Sequence, residues 1–365
     1  MKVAIIGAGA AGLMCACRLP EFFSVTVFER NDAAGKKLLM TGNGRCNVTN
    51  LREPDDFLEN VPRNSEFLSH AVNVFSPKDM VGFLGTLGIK THVEDNMRVF
   101  PDVGGAAGIR NAMQKFAQSR GVDFKFHTVI TTISKTDIGF VVNDKQFDAV
   151  IIATGGLSYS EGVNGYTLAK SLGHTITSTR PGMCGIVLKN PIKAQGASVR
   201  ATIQIGDSAP LTGDILFTDY GISGPTVFKA VSRFHGDKIS GQSLQINFAP
   251  DLTHTPATTG KNPFYTIRKF VPKSIANWLV QNGGATALTQ SRLLIKDFRG
   301  IDGAIVTRGG VDVSQIENKT MESRLVKNLF FIGEVIDIDA LSGGFNLQCA
   351  FSTAVACSTY LSTLA

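Results

Sequence analysis

The chain has 365 residues, enough for two or three packed units and too many for one small module. Hydrophobic residues make up 43% and charged residues 18%, which suits a globular protein and excludes a disordered or collagen-like chain. The formal charge is +6, and all of that excess lies between Lys261 and Gly300, where Lys261, Arg268, Lys269, Lys273, Arg292, Lys296 and Arg299 face only Asp297. Such a segment reads either as a footprint for a polyanion such as RNA or as the solvated face of a small helical unit. Six cysteines (Cys15, Cys17, Cys46, Cys184, Cys349 and Cys357) show neither a CxxC pair nor metal-ligand spacing. This argues against a metal site or a disulfide framework and for free thiols in a reducing cytosol. The apolar start, Val3 to Cys17, differs from a signal peptide in its regularly placed glycines, and no other window reaches ~18 uninterrupted apolar residues. The expectation is a cytoplasmic protein that does not span a membrane.

In chain order, Lys2 to Gly7 reads as a short buried parallel strand that runs into Gly7-Ala8-Gly9-Ala10-Ala11-Gly12, followed by a helix over Leu13 to Leu19. Gly7 permits the tight turn, Gly9 lets the backbone approach a pyrophosphate at the helix start, and Gly12 allows close helix packing. Ser24 to Glu29 reads as the second strand and ends in an acid 17 residues after Gly12, where a ribose hydroxyl partner belongs. A carboxylate there repels a 2′-phosphate, so the nucleotide is FAD or NAD, and Arg30 covers the adenine or ribose edge. Ala33 to Asn50 holds two small or glycine-rich turns in which Lys36, Lys37, Leu38, Asn43, Gly44, Arg45, Cys46 and Asn47 make a wall for phosphates and a flavin ring. An NAD dehydrogenase continues here with a third strand, so this excursion favours FAD.

Phe124 to Ile133 and Val141 to Gln146 read as strands that feed a buried run, Phe147 to Gly156. Its end, Ala153-Thr154-Gly155-Gly156, is a small-residue turn returning beside the cofactor, and Val129 is the candidate for a backbone contact to adenine. Cys184 to Pro250 has the short strand-like runs of a small antiparallel barrel, Pro263 to Phe298 looks helical, and Gly303 to Val311 is strand-like again. The expected fold is α/β, with a Rossmann-like FAD-binding domain in two pieces, residues 1–183 and 313–365. A β-barrel interrupts it over 184–255, with its last strand in 300–312, and carries a helical cap over 256–299. Leu329 to Glu334 reads as the last buried strand, with Gly333, Glu334 and Asp337 at its ligand-binding carboxyl end. Gly343-Gly344-Phe345-Asn346-Leu347-Gln348 then opens a final helix whose N–H groups can stabilise negative charge on a reduced flavin.

Thr41 to Asn50, together with Gly333-Glu-Val-Ile-Asp337 and Gly343 to Gln348, resembles the BaiN/RdsA-like (YhiN-type) family of bacterial flavoproteins. The resemblance extends through Arg98 to Pro101, Ala153 to Gly156, Leu216 to Thr218, Gly221 to Pro225 and Val306 to Val311, and so covers nearly the whole chain. It implies a glutathione-reductase-like FAD domain with a barrel and helical insert, non-covalent FAD, and redox chemistry at the flavin N5. Three departures stand out. Relatives commonly carry Tyr at Phe345 and often His at Asp219, and they continue Gly156 with a proline and a Gly-Ser-Thr-Gly-Asp stretch where this chain has Leu157 to Gly165.

Activities in that family include reduction of a conjugated C=C bond in a bile-acid intermediate, reduction of a uridine in ribosomal RNA, and oxidation of aminoacetone. The first expectation is an NAD(P)H-linked FAD reductase of an activated C=C bond, acting on a ribosomal RNA uridine held by the basic cap, or otherwise on a small molecule. With no second glycine fingerprint after a strand, NADH or NADPH is expected to bind transiently or not at all. A small-amine oxidase producing hydrogen peroxide and a flavin-bearing RNA-binding factor without turnover stand beside it. Reduction needs a proton donor, and the candidates are Cys46, Asp219, Tyr220 and Ser223. Cys46 serves either as an acid or as a small buried residue packed on the flavin. The oligomeric state is not legible.

Overall fold

A computed structural model describes residues 1–158, 164–234, 238–252, 254 and 262–364. Lys261 and most of the remodelled stretch after Gly156, Tyr159 to Val163, lie outside the described residues. The chain divides into two units, Met1–Arg180 with Thr307–Ala365, and Pro181–Val306.

The first unit is built on a five-stranded parallel sheet in the order Leu329–Phe331, Ala149–Ile152, Lys2–Ile6, Ser24–Phe28, Asp123–Lys125. Val3, Ala4, Ile5 and Val27 are fully buried, as expected of strands covered on both faces. The opening strand sits at the centre, with Ile6 paired to Phe28 on one side and to Ile152 on the other. The order therefore reverses at its carboxyl end, the place where open α/β sheets form a ligand crevice. The helix Ala10–Arg18 follows directly, and the long helix Phe345–Ser362 packs beside it.

Local readings shift at four places. The strand expected to run to Ile133 stops at Lys125, because the next backbone donors leave the ladder: His127 N–H bonds Asn31 O and Thr128 N–H bonds Glu29 O. Val141 to Gln146 is not one strand but the two arms of a hairpin, Gly139–Val142 and Lys145–Phe147. It turns at Asn143 and Asp144, both at positive φ (43° and 63°), as a tight turn of the type I′ hand requires. The last sheet strand ends at Phe331, and Gly333–Val335 forms a short 3₁₀ turn.

The fourth shift concerns the second unit, a closed six-stranded barrel of Ile186–Leu188, Gly221–Ser223, Leu211–Phe217, Ser198–Ile205, Ser243–Asn247 and Ser291–Phe298. Ser291 to Phe298, expected to be helical, is thus a strand. Ser291, Leu293 and Ile295 point inward while Arg292, Leu294 and Lys296 point out, a period of two hidden by the apolar run Leu293-Leu294-Ile295. Of the stretch expected to be a helical cap, the described residues form helices at Pro263–Ile267, Lys273–Gln281 and Ala285–Thr289, and a further helix of this unit spans Pro225–Arg233. Val306–Arg308, expected to close the barrel, belongs to a separate two-stranded ribbon.

Candidate active site

The glycine loop is fixed by backbone collisions that any side chain would cause. A Cβ on Gly7, whose φ is +104°, would lie 2.6 Å from the Ala153 carbonyl oxygen, and one on Gly12 would strike the Gly7 carbonyl oxygen. Gly9 differs, since among the described residues nothing beyond its own chain neighbours lies within 4 Å of its Cβ position. Its extended backbone (φ −73°, ψ −168°) suits any residue, so the protein itself does not demand glycine there. Gly9 caps the helix Ala10–Arg18 without a side-chain hydrogen bond, leaving the first N–H groups, and the positive end of the helix dipole, for an anion.

Glu29 is buried, and its carboxylate ties the second strand to this loop. Oε2 accepts from Ala8 N–H at 2.8 Å, and Oε1 accepts from Asn31 N–H at 2.9 Å and from Asn31 Nδ2 at 2.6 Å. A carboxylate has about four acceptor positions, so one remains for a ribose hydroxyl. Thr128 N–H bonds the Glu29 carbonyl, which sets the loop carrying half-exposed Val129 beside the same corner. The Val129 carbonyl accepts from Asn143 Nδ2 at 3.2 Å. Arg30 is partly exposed at the end of this strand.

Residues 38 to 50 double back through left-handed conformations at Gly42, Asn43, Gly44 and Cys46. Cys46 is fully buried, and burial pushes its thiol up to about 11, with the Thr41 hydroxyl partly offsetting the shift. It is a neutral thiol at physiological pH. Lys36 is exposed, and Leu38 is buried in the core. The wall of cations is partly spoken for within the protein. Lys37 Nζ pairs with Glu334 Oε2 at 2.7 Å, and Arg45 pairs with Glu94 and lies 4.3 Å over the Phe100 ring.

Glu334 also accepts from Thr307 N–H at 2.8 Å, and the Thr307 hydroxyl accepts from Leu157 N–H at 2.8 Å. A Cβ on Gly156 would lie 2.5 Å from that hydroxyl oxygen, so the small-residue turn after Ala153 is demanded by the protein itself. Thr154 is partly buried, its hydroxyl filling the place where Gly165 lacks a side chain, whereas among the described residues Gly155 has only Glu334 Oε2 nearby, at 3.8 Å. Gly333, at φ +70°, packs against Ala11 at the start of the opening helix.

Asp337 is held by Arg63 Nη2 at 2.8 Å and by the Thr177 hydroxyl at 2.9 Å. Beside it lies fully buried Asp339, which accepts from Arg63 Nε at 3.0 Å and faces Arg308 Nε at 3.9 Å. Burial pushes the Asp339 carboxyl above the usual range, with Arg63 pulling the other way, and burial lowers Arg308. This quartet of two aspartates and two arginines was not legible in the sequence. The Asp-Ile-Asp spacing after the last strand is its one local signal, and nothing near Arg63 announces it.

The final helix begins at Gly344 (φ +96°), again without a side-chain cap. A Cβ on Gly344 would strike the Thr49 carbonyl, while Asn50 Nδ2 donates to Gly343 O at 3.0 Å and to Asn96 O at 2.9 Å. Phe345 packs against Phe57, and Leu347 is partly buried against the core. Asn346 bonds Ala340 through both its N–H and its carbonyl. Gln348, part of the motif but given no role by sequence, bridges Thr49, Ser352 and the Phe75 carbonyl. Buried Asn47 Oδ1 and Asn50 Oδ1 have no hydrogen-bond partner among the described residues. For Asn50 the two bonds made by Nδ2 fix which way the amide points, and buried acceptors of this kind ordinarily find donors.

Asp219, Tyr220 and Ser223 belong to the second unit. Asp219 is exposed, and the partly buried Tyr220 ring lies under the Arg299 guanidinium at 4.5 Å, its hydroxyl over Gly185. Among the described residues no cluster of His, Cys, Asp or Glu could hold a metal.

A parallel sheet whose order reverses beside a glycine loop, with the open start of the helix Ala10–Arg18 at that point, defines a class, the Rossmann-type dinucleotide-binding proteins. The family model described as HI0933-like protein Rossmann domain matches residues 1–360, and the chain belongs to that family. It is 29% identical over 392 residues to the ribosomal RNA dihydrouridine synthase of Escherichia coli (strain K12), covering 97% of this chain and 96% of that protein. It is 28% identical over 398 residues to the 3-dehydro-bile acid delta(4,6)-reductase of Clostridium scindens, covering 96% and 97%. Among solved structures, its fold is similar to that of a 3-ketosteroid delta1-dehydrogenase from Sterolibacterium denitrificans, with a TM-score of 0.56 at 11% identity, covering 100% and 99% of the two chains.

Proposed function

We propose that the protein is an FAD-dependent reductase that saturates an activated C=C bond, with a uridine of ribosomal RNA as substrate and NADH or NADPH as the transient donor. The observation that carries this reading is that two full-length relatives, one acting on RNA and one on a bile acid, are named for the same bond chemistry. Dihydrouridine is uridine with its carbonyl-conjugated C=C saturated, and a 3-dehydro steroid reduced at positions 4 and 6 loses the corresponding conjugation. An RNA substrate of this kind would place the protein in the cytoplasm.

The residues fit FAD. The open space at Gly9 admits a pyrophosphate to the uncapped start of the helix Ala10–Arg18, and the spare acceptor position of Glu29 suits a ribose hydroxyl. The orphaned carbonyl oxygens of Asn47 and Asn50 suit the ring N–H donors of a flavin, and the start of the helix Phe345–Ser362 favours negative charge on it. When bound, FAD supplies the two-electron reducing chemistry. Proton delivery to the substrate falls to Cys46, Asp219 or Tyr220. The buried neutral thiol of Cys46 holds its proton at physiological pH and is equally suited to packing beside the ring.

The test is an anaerobic visible spectrum of the purified protein before and after NADH or NADPH, paired with mass spectrometry of ribosomal RNA from cells lacking the gene. Flavin absorbance that bleaches promptly, and a dihydrouridine missing from that RNA, are the expected results. A flavin that stays oxidised with either nucleotide even when ribosomal RNA is present, or that is reduced by small amines with release of peroxide, overturns the reading. Among Cys46→Ala, Asp219→Asn and Tyr220→Phe, the variant lacking the proton donor should lose about 10²-fold or more in single-turnover reduction while keeping its flavin.

A further inference from the structure

The second unit holds a cavity of about 420 Å³ between the helices Lys273–Gln281 and Ala285–Thr289 and the barrel strand Ser291–Phe298. One wall carries Trp278, the only tryptophan in the chain, half-buried with part of its ring packed on the barrel core. Three carboxamides, Asn190, Asn282 and Gln290, line it together with Arg292, and among the described residues no carboxylate does. Asn282 Nδ2 donates to the Trp278 carbonyl at 2.8 Å, which holds that amide at the rim with its own oxygen as acceptor.

We propose that this cavity is a subsite for one unstacked base of a single-stranded RNA. An indole offers a stacking face to any base, and carboxamides present donor and acceptor together, the complement of a base edge. Arg292 supplies the charge for the adjoining phosphate. Electrostatics selects RNA over an uncharged ligand such as a sugar. The unit over 181–306 contains 13 Lys and Arg against 7 Asp and no Glu, so it carries the whole +6 of the chain. Arg292 and Lys296 lie exposed on the same outward strand face. The choice of RNA as the polyanion rests on the functional reading above, whereas the cavity and its chemistry do not.

Because Trp278 is the sole indole, its emission reports directly on the cavity. The holoenzyme is titrated with a short oligouridylate, with the same sequence as a duplex, and with an abasic ribose-phosphate chain. The oligouridylate should quench Trp278 at low salt, while the duplex and the abasic chain should bind without quenching. By anisotropy of a labelled oligonucleotide, Trp278→Ala and the double variant Asn282→Ala/Gln290→Ala should each bind roughly tenfold more weakly, the loss expected of one stacked or paired base. Trp278→Phe should keep most of the affinity, which separates stacking from a folding defect. Quenching by the abasic chain or by a neutral oligosaccharide alone, or full affinity in both weakened variants, overturns the proposal. The two readings also fail separately. A silent Trp278 in an enzyme that still forms dihydrouridine removes the subsite only, and a responsive Trp278 with unmodified ribosomal RNA supports the subsite and removes the reductase assignment.

Discussion

At the scale of single residues, the three fingerprint glycines have different jobs, and the structure separates them. Gly7 and Gly12 are required by protein backbone, whereas the Cβ position of Gly9 is open. Gly9→Val should therefore fold with a melting temperature near that of the wild-type apoprotein yet retain no flavin. Gly12→Ala should lose about 1–3 kcal/mol of stability through overpacking. Absorbance per mole of protein and thermal melts distinguish the two, and a flavin-replete Gly9→Val protein would remove the pyrophosphate assignment. The quartet around Asp339 makes a prediction with a definite sign. Burial raises the Asp339 carboxyl, so the folded state binds this proton more readily than the unfolded chain does. Its contribution accordingly makes the protein more stable as pH falls from neutral towards the ordinary carboxylate range near about 4. Asp339→Asn, which keeps an acceptor for Arg63, should flatten that part of the dependence of the urea midpoint on pH. An unchanged slope would exclude Asp339 as its source. Removing the partner is worse: Arg63→Met leaves buried Asp339 with the distant Arg308 and Asp337 with the Thr177 hydroxyl, and should cost about 3 kcal/mol in chemical unfolding.

At the scale of elements, the start of the final helix is clamped by neighbours distant in sequence. Gln348 joins the Thr49 segment to the Phe75 carbonyl at the end of the helix Ser65–Val74, with all three partners buried. Gln348→Leu should cost about 1–3 kcal/mol, because it leaves the Thr49 hydroxyl and the Phe75 carbonyl with fewer bonds. It should also loosen flavin, since Asn47 and Asn50 lie on the displaced segment; retention through gel filtration checks this, and unchanged retention would uncouple the clamp from the cofactor. This clamp shows why sequence reading reached some elements and not others. The glycine loop, its strand and its helix are contiguous, so spacing alone exposes them. Lys37 and Arg45, by contrast, read as phosphate ligands because Glu334 and Glu94 lie 297 and 49 residues away. The strand Ser291–Phe298 was masked by three consecutive apolar residues, and the hairpin at Asn143-Asp144 by a turn that contains no glycine between Val141-Val142 and Lys145-Gln146-Phe147.

At the scale of the whole molecule, charge and cofactor are segregated. The residues of the first unit balance at 23 basic and 23 acidic, and the candidate FAD ligands of the glycine loop, the Thr41 to Asn50 segment and the final helix all belong to it. The second unit carries the entire excess, and two of its cations, Arg292 and Lys296, lie on the outward face of the strand Ser291–Phe298. RNA affinity and flavin retention should therefore respond differently to salt. Binding of a single strand loses affinity with a log-log slope of about −0.7 per phosphate neutralised, whereas a cofactor held at helix ends and by buried hydrogen bonds is screened far less. Lys269→Ala, Lys273→Ala and Arg292→Ala combined should make that slope shallower by up to about 2, with the visible spectrum of the flavin unchanged. The slope comes from oligonucleotide titrations between about 50 and 200 mM salt, an interval over which several phosphate contacts change affinity by orders of magnitude. If the slope survives the triple substitution, the cations of the 181–306 unit are a solvated surface, and the polyanion must be recognised elsewhere on the chain.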